Sequence, residues 1–380
     1  MMRMHAQCIC LMLVFTGCAT LGSEAVEDDN ALPTTGIGPF RKLAATEVGG
    51  VAPYVLDNQQ GLYREPSALA LDGVDQSGIA PSTRVALYFV AHPKSGGGDV
   101  IERTHADDAR SFYGAGPDFG HSPSQVLAAD QAWEGTNLAG PSVLAVGGQI
   151  YLYYACNGGI GVAESSDGFA FTKEPGPIFA SDPTVSWETS TPRAPSVAIL
   201  PSGEFRMFYA AGVCIGEASS ADGVHFTRLD SDPSTPSIDP VLCPSAPVSA
   251  DAIDAGAVLP IDNGGVDDPL VLPRVMPAGR LQIRVLYTGY ATPPGSANRP
   301  SAIGFAARYG DSGPLVRAVA GVYSASLHEH APAYFAWSTG AMLYVTEDES
   351  GLNGVYSALA GAFAPAQDAL PAPTGYADSP

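Results

Sequence analysis

The chain has 380 residues, 46% hydrophobic and 15% charged, which supplies a sizeable core and shows no sign of global disorder. Lys and Arg number 18 against 39 Asp and Glu, for a formal charge of −21. That balance excludes a nucleic-acid binder, whose phosphate-tracking surface needs clustered cations. Gly 43 and Pro 33 point to many turns and few long helices.

The chain opens with Arg3, an apolar run over 8–15, and Thr16-Gly17-Cys18. The run is shorter than the roughly 20 residues a membrane-spanning helix needs, so 1–18 is expected to be a secretory signal. Small residues directly before a cysteine resemble a bacterial lipobox, with Phe15 where Leu is usual. The resemblance implies lipidation of Cys18 and an envelope anchor, and Ala19 favours the outer membrane. The polar, acidic stretch 19–39 is expected to be a flexible tether. Cys8 and Cys10 leave with the signal, so Cys156, Cys214 and Cys243 remain beside Cys18. In an oxidising envelope these three permit one disulfide and one thiol. No pair has zinc-site spacing.

From residue 40 onward the sequence repeats. Residues 133–172 and 187–227 align almost position by position. Each copy has a Trp-Glu pair (Trp133-Glu134, Trp187-Glu188), then Pro-Ser-Val (Pro141-Ser142-Val143, Pro195-Ser196-Val197). A Tyr-rich strand and an Asp-Gly hairpin follow (Asp167-Gly168, Asp222-Gly223). Weaker copies begin at Pro66-Ser67-Ala68-Leu69, at Gly256-Ala257-Val258-Leu259 and at Pro332-Ala333-Tyr334-Phe335. Five copies of about four short antiparallel strands predict an all-β, five-bladed β-propeller over 40–363, with 364–380 a disordered tail. Segment 40–56 is expected to add a closing strand. Helical periodicity is missing, which disfavours a βα fold. On this plan Cys156 and Cys214 border second-to-third strand turns and Cys243 enters the fourth blade. Cys214–Cys243 is therefore the expected pair.

Five blades with a Pro-Ser-Val inner strand and a Ser-Ser-Asp-Gly-x-x-Phe-Thr hairpin resemble the propellers of glycoside hydrolase families 43 and 32. The resemblance implies a funnel on the propeller axis, with carboxylates just before the inner-strand prolines. Glu65, before Pro66, then takes the place of the family's base or nucleophile. The second blade has Ala139-Gly140-Pro141 where an Asp is usual, and the third has Arg193-Ala194-Pro195 without its acid. Glycoside hydrolysis ordinarily needs two carboxylates. Substitutes are expected from the same rim: Glu134 and Glu188 at the second and third blades, Asp251 and Asp254 at the fourth, and Glu329 at the fifth.

Trp133 and Trp187, each beside a carboxylate, have two readings: a sugar platform with Glu134, or packing between blades. Arg193, His92, Asn157, His328 and His330 are further rim candidates. His328 and His330 share a face if extended, and a water or calcium ion beside a fifth-blade His is implied by the resemblance. No catalytic metal is expected. Arg64 should point away from Glu65 across an extended strand, leaving Arg193 as the salt-bridge partner of Glu65. The acid-rich stretch 262–268 reads as a solvated insertion, and Asp167 and Asp222 as turn residues. The expected ligand is a poly- or oligosaccharide bound by a monomer. The other reading is a non-catalytic propeller holding a protein partner at the cell surface.

Overall fold

A computed structural model describes residues 40–365, except 49–53, 57–61, 72–83, 94–95, 111, 113–122, 247–259, 277–278, 297–298, 319–321, 324–327, 338–339 and 352–353. The signal, the tether, Cys18, Asp251, Asp254 and residues 366–380 of the tail lie outside the described residues, whereas Ala364 and Pro365 close the last strand, two residues beyond the expected propeller boundary.

Five four-stranded antiparallel sheets are present. Blade I holds β2 (Tyr63–Ala70), β3 (Val85–Ala91), β4 (Val100–Ala106) and β5 (Ser124–Leu127). Blade II holds β6 (Ala139–Val146), β7 (Gln149–Cys156), β8 (Gly159–Ser165) and β9 (Thr172–Lys173). Blade III holds β10 (Arg193–Ile199), β11 (Phe205–Ala211), β12 (Cys214–Ser220) and β13 (Thr227–Leu229). Blade IV holds β14 (Gly265–Val275), β15 (Leu281–Tyr290), β16 (Ser301–Tyr309) and β17 (Val316–Arg317). Blade V holds β18 (Glu329–Trp337), β19 (Gly340–Gly351) and β20 (Gly354–Pro365), with β1 (Arg41–Lys42) as its outer strand. β1 pairs with β20 through Arg41↔Phe363 and Lys42↔Ala362, so the start of the ring fastens its end.

Every residue of β3 and β11 is buried, because a neighbouring blade covers each face; β3 is apolar throughout, and β11 is apolar except for Arg206, whose guanidinium is paired with Glu217 and Asp311. The core accordingly lies between blades. Leu69, Ala86 and Tyr88 of blade I pack with Val143, Leu152 and Tyr154 of blade II. Val85, Leu87 and Phe89 pack on the other side with Ala333, Met342 and Tyr344 of blade V. A disulfide joins Cys214 to Cys243 and pins the entry of blade IV to blade III, while Cys156 is a free thiol.

Each inner strand carries one extra residue near its start. Arg64 and Ser67 are three positions apart on β2, yet their partners Val90 and Tyr88 are only two apart on β3. The same slip recurs at 139–142, 193–196, 267–270 and 330–333. These are β-bulges, and each contains a proline whose missing N–H a regular ladder could not accommodate. The residue before that proline has positive φ in every blade: Glu65 54°, Gly140 51°, Ala194 45°, Asp268 45° and Ala331 50°.

Hydroxyls stitch the ring across all five blade interfaces. Ser67, Ser142 and Ser196 accept the backbone N–H of Val143, Val197 and Val271. Thr288 accepts from Ala331 N and Thr346 from Glu65 N. At the outer hairpins Tyr88, Tyr153 and Tyr344 donate to the carbonyls of Gly168, Gly223 and Ala109. Asp167 and Asp222 cap their turns by accepting two backbone N–H groups each.

The fourth inner strand differs from the sequence expectation. It is β14, opening at Gly265, and not the segment beginning at Gly256. Stretch 262–268 is therefore structural and not a solvated insertion: Asp262 is buried, and Asp267-Asp268 sit at the bulge.

Candidate functional site

The five bulges converge on one pocket at the propeller axis, lined by Glu65, Gly140, Ala194, Asp268, Ala331 and the prolines that follow them. Its cavity volume is about 40 Å³, room for a water or two and well below the roughly 300–1,000 Å³ of small-molecule sites. Glu65 and Asp268 are the two acids on this ring.

Glu65 has both oxygens engaged. Arg64 Nε donates to Oε1 at 2.9 Å and the Gly140 amide to Oε2 at 2.5 Å. Arg64 in turn holds Asp99 at 2.6 Å, and Asp99 meets His92 Nδ1 at 2.8 Å. Burial would raise Asp99, but His92 and Arg64 outweigh it and hold the carboxyl below its ordinary range.

Asp268 stands in the opposite electrostatic situation. Its Oδ2 accepts from Thr288 Oγ1 at 2.9 Å and lies 3.9 Å from His330 Nδ1. Burial, then the negative charges of Asp267 and Glu65, push its carboxyl up to about 7, against the opposing pull of His330 and Thr288. His330 is raised in turn: burial works against its charge, and Asp348, 3.4 Å from Nε2, with Asp268 and Glu65, outweighs it. The pocket thus pairs a carboxylate held by an arginine and an amide with a carboxyl that keeps its proton near neutrality.

Arg64 does not point away from Glu65, because the positive φ at the bulge breaks strand alternation and brings the two together. Arg193 is consequently not the partner of Glu65. It binds Asp267 at 2.6 Å and the Gly212 carbonyl at 3.1 Å. His92 stays half-exposed beside Asp99. His330 lies beside Asp268 and Asp348. His328 is exposed and bridged through its backbone to Ser301, so the two imidazoles do not act as a pair. Asn157 is exposed at the β7–β8 turn, where its backbone N–H bonds the Glu134 carbonyl.

The Trp-Glu pairs are internal struts and not part of the pocket. The Glu134 carboxylate is fully buried and accepts from Tyr154, Lys173 and the amides of Asp130 and Gln131. Glu188, also fully buried at its carboxylate, accepts from Tyr209 at 2.7 Å and twice from Arg228. Asp262 repeats the device in blade IV with Tyr287 and Arg317. Trp133 and Trp187 stack on Tyr154 and Tyr209. Their ring edges lie where a side chain at Gly161 or Gly216 would stand, 2.7 and 2.4 Å from the missing Cβ. Glu329 is likewise buried away from solvent.

Asp268 is the residue that sequence reasoning missed. Its signal was legible: Asp268-Pro269 ahead of an apolar run repeats Glu65-Pro66. Among the described residues no cluster of three or more His, Cys, Asp or Glu is arranged to hold a metal.

No protein-family model and no curated protein matches the chain. Solved structures do match its fold. A glycosyl hydrolase from Bacteroides ovatus aligns with TM-score 0.53 at 14% identity, over 87% of this chain and 92% of that one. An exo-1,5-α-L-arabinanase from a bovine ruminal metagenomic library aligns with TM-score 0.51 at 11% identity, over 81% and 94%. A thermostable family-43 glycoside hydrolase gives 0.51 at 12%, over 83% and 97%. The chain therefore has the five-bladed propeller architecture of these glycoside hydrolases.

The strut assignment has a direct consequence. Glu188→Gln leaves Arg228 without its carboxylate, and unfolding by denaturant should show a loss of about 3 kcal/mol. Unchanged stability, combined with altered ligand binding, would return Glu188 to the site.

Proposed function

We propose that the axial pocket binds the end of a saccharide chain and hydrolyses its glycosidic bond, with Glu65 and Asp268 as the working carboxylates. The observation that carries this reading is their position: two acids on one axial ring, one held by Arg64 and an amide, the other disposed to keep its proton. The fold shared with named glycoside hydrolases supports a carbohydrate ligand.

In this mechanism Asp268 gives its proton to the departing glycosidic oxygen as the bond to the anomeric carbon breaks. Water forms the new bond to that carbon and yields a proton to Glu65. The catalytic positions differ from the family pattern: blades II and III contribute Gly140 and Ala194, and blade IV supplies the acid. Arg64, fixed by Asp99, orients Glu65, and Thr288 orients Asp268.

Incubating the full chain with a panel of polysaccharides, while measuring binding and reducing-end release, tests this reading. The rate should fall as pH rises past about 7, where Asp268 loses its proton. Glu65→Gln and Asp268→Asn should each lose roughly 10²–10⁴ of the rate and keep most of the affinity. Full activity in both variants, or no saccharide bound by any form, would refute it.

The same reading places the protein on the envelope through a lipid on Cys18, supported by the apolar run 8–15 and by Thr16-Gly17. A Cys18→Ser variant should leave the membrane fraction. Unchanged partition of that variant would remove the anchor from the account.

A further inference from the structure

The two acids that line the axial pocket, and the acids near them, already have cations beside them. Arg64 serves Glu65 and Asp99, His92 also meets Asp99, Arg193 meets Asp267, and His330 stands between Asp268 and Asp348. Arg299 has no acid paired with it among the described residues. It comes from the connection between β15 and β16, and its guanidinium sits over the Tyr290 ring, 3.4 Å from the centroid. Its Nη2 lies against the start of the fourth inner strand, 3.4 Å from where a Cβ on Gly265 would stand. Asp268 follows in that same strand.

Tyr290 fixes where this cation is relative to the chemistry. Its phenol is held well above its ordinary value, first by burial and then by the charges of Asp268 and Asp267, so the ring under Arg299 lies within the field of both acids. Arg299 makes no ion pair or hydrogen bond among the described residues, and its Nε is buried without a partner. An arginine cannot shed its charge, and in a chain with 39 acids it has no shortage of them to meet. Its guanidinium plane is instead held by stacking on Tyr290.

We propose that Arg299 reads an anionic group on the saccharide, so that the mouth takes an acidic sugar, bearing a carboxylate or a sulfate ester, in preference to a neutral one. A planar fork of N–H donors matches a carboxylate in a two-point contact. The net charge of −21 does not oppose this at short range, because at about 0.15 M salt charges are screened beyond about 8 Å. The inference rests on the saccharide reading above, but it concerns the charge of the ligand and not its cleavage.

Calorimetry at physiological salt on the full chain tests it with four probes. These are an oligogalacturonate, the same oligomer methyl-esterified, a chondroitin sulfate oligosaccharide and a neutral galactan oligomer. At least one acidic probe should bind about tenfold or more tightly than the neutral ones, as expected for one charge-assisted contact. A preference for the free acid over its ester assigns a carboxylate, and a preference confined to the chondroitin probe assigns a sulfate. Arg299→Gln should abolish the preference without weakening neutral binding, and Arg299→Lys should keep part of it. The wild-type comparison of acid with ester and with neutral galactan needs no variant, so a folding defect in either one leaves the test intact. Equal binding of acidic and neutral probes overturns this inference alone. Binding of none of the four, nor of any member of the polysaccharide panel, overturns the saccharide reading and this inference with it.

Discussion

One extra residue before each inner-strand proline is the constraint on which the rest of the structure depends. It bends the backbone out of the ladder, admits a proline that cannot donate, and gathers five side-chain positions around the axis. Four of the five residues with positive φ are not glycine, and each such conformation costs on the order of 1–3 kcal/mol. The hydroxyl stitches between blades and the interblade cores over-determine the ring enough to hold that strain. Ala194 and Ala331 occupy two of the positions, so folding demands the conformation there and not an acid. Glu65 and Asp268 are the two positions of the five that carry an acid.

Carboxylates in this chain fall into two physical kinds. Glu134, Glu188 and Asp262 are saturated: each is buried, takes a tyrosine hydroxyl and is matched by a lysine or arginine from the outer strand of its blade. Nothing is left over for a ligand. Asp268 has one hydroxyl bond, a histidine 3.9 Å away and two negative neighbours, which is why its proton is hard to remove. Buried saturation makes a strut, whereas partial satisfaction beside open space makes a site.

Much of the fold was legible because blades II and III are nearly the same length and carry the same Pro-Ser-Val and Asp-Gly signals. The closing strand was legible for a topological reason: a ring of blades needs its last sheet completed. Blade IV was misplaced because Gly256-Ala257-Val258-Leu259 looks more like a strand than Asp267-Asp268-Pro269 does, although the acid-proline pair was the better marker. The Trp-Glu pairs left two readings, a sugar platform or packing between blades, and their recurrence in both repeats pointed toward packing. Their burial depends on Tyr154, Tyr209, Lys173 and Arg228 arriving from other strands, and no local pattern reveals that. The partnership of Arg64 with Glu65 was hidden for a similar reason, since alternation along a strand holds only until a bulge interrupts it.

The central claim is that Asp268 keeps its proton near neutrality because it is buried beside Asp267 and Glu65. Carbon-detected NMR titration of the Asp268 carboxyl, in the wild type and in Glu65→Gln, measures this directly. The account predicts a midpoint near 7 that moves down when the Glu65 charge is removed. A midpoint near the ordinary aspartate value of about 4, or one indifferent to Glu65, would contradict it.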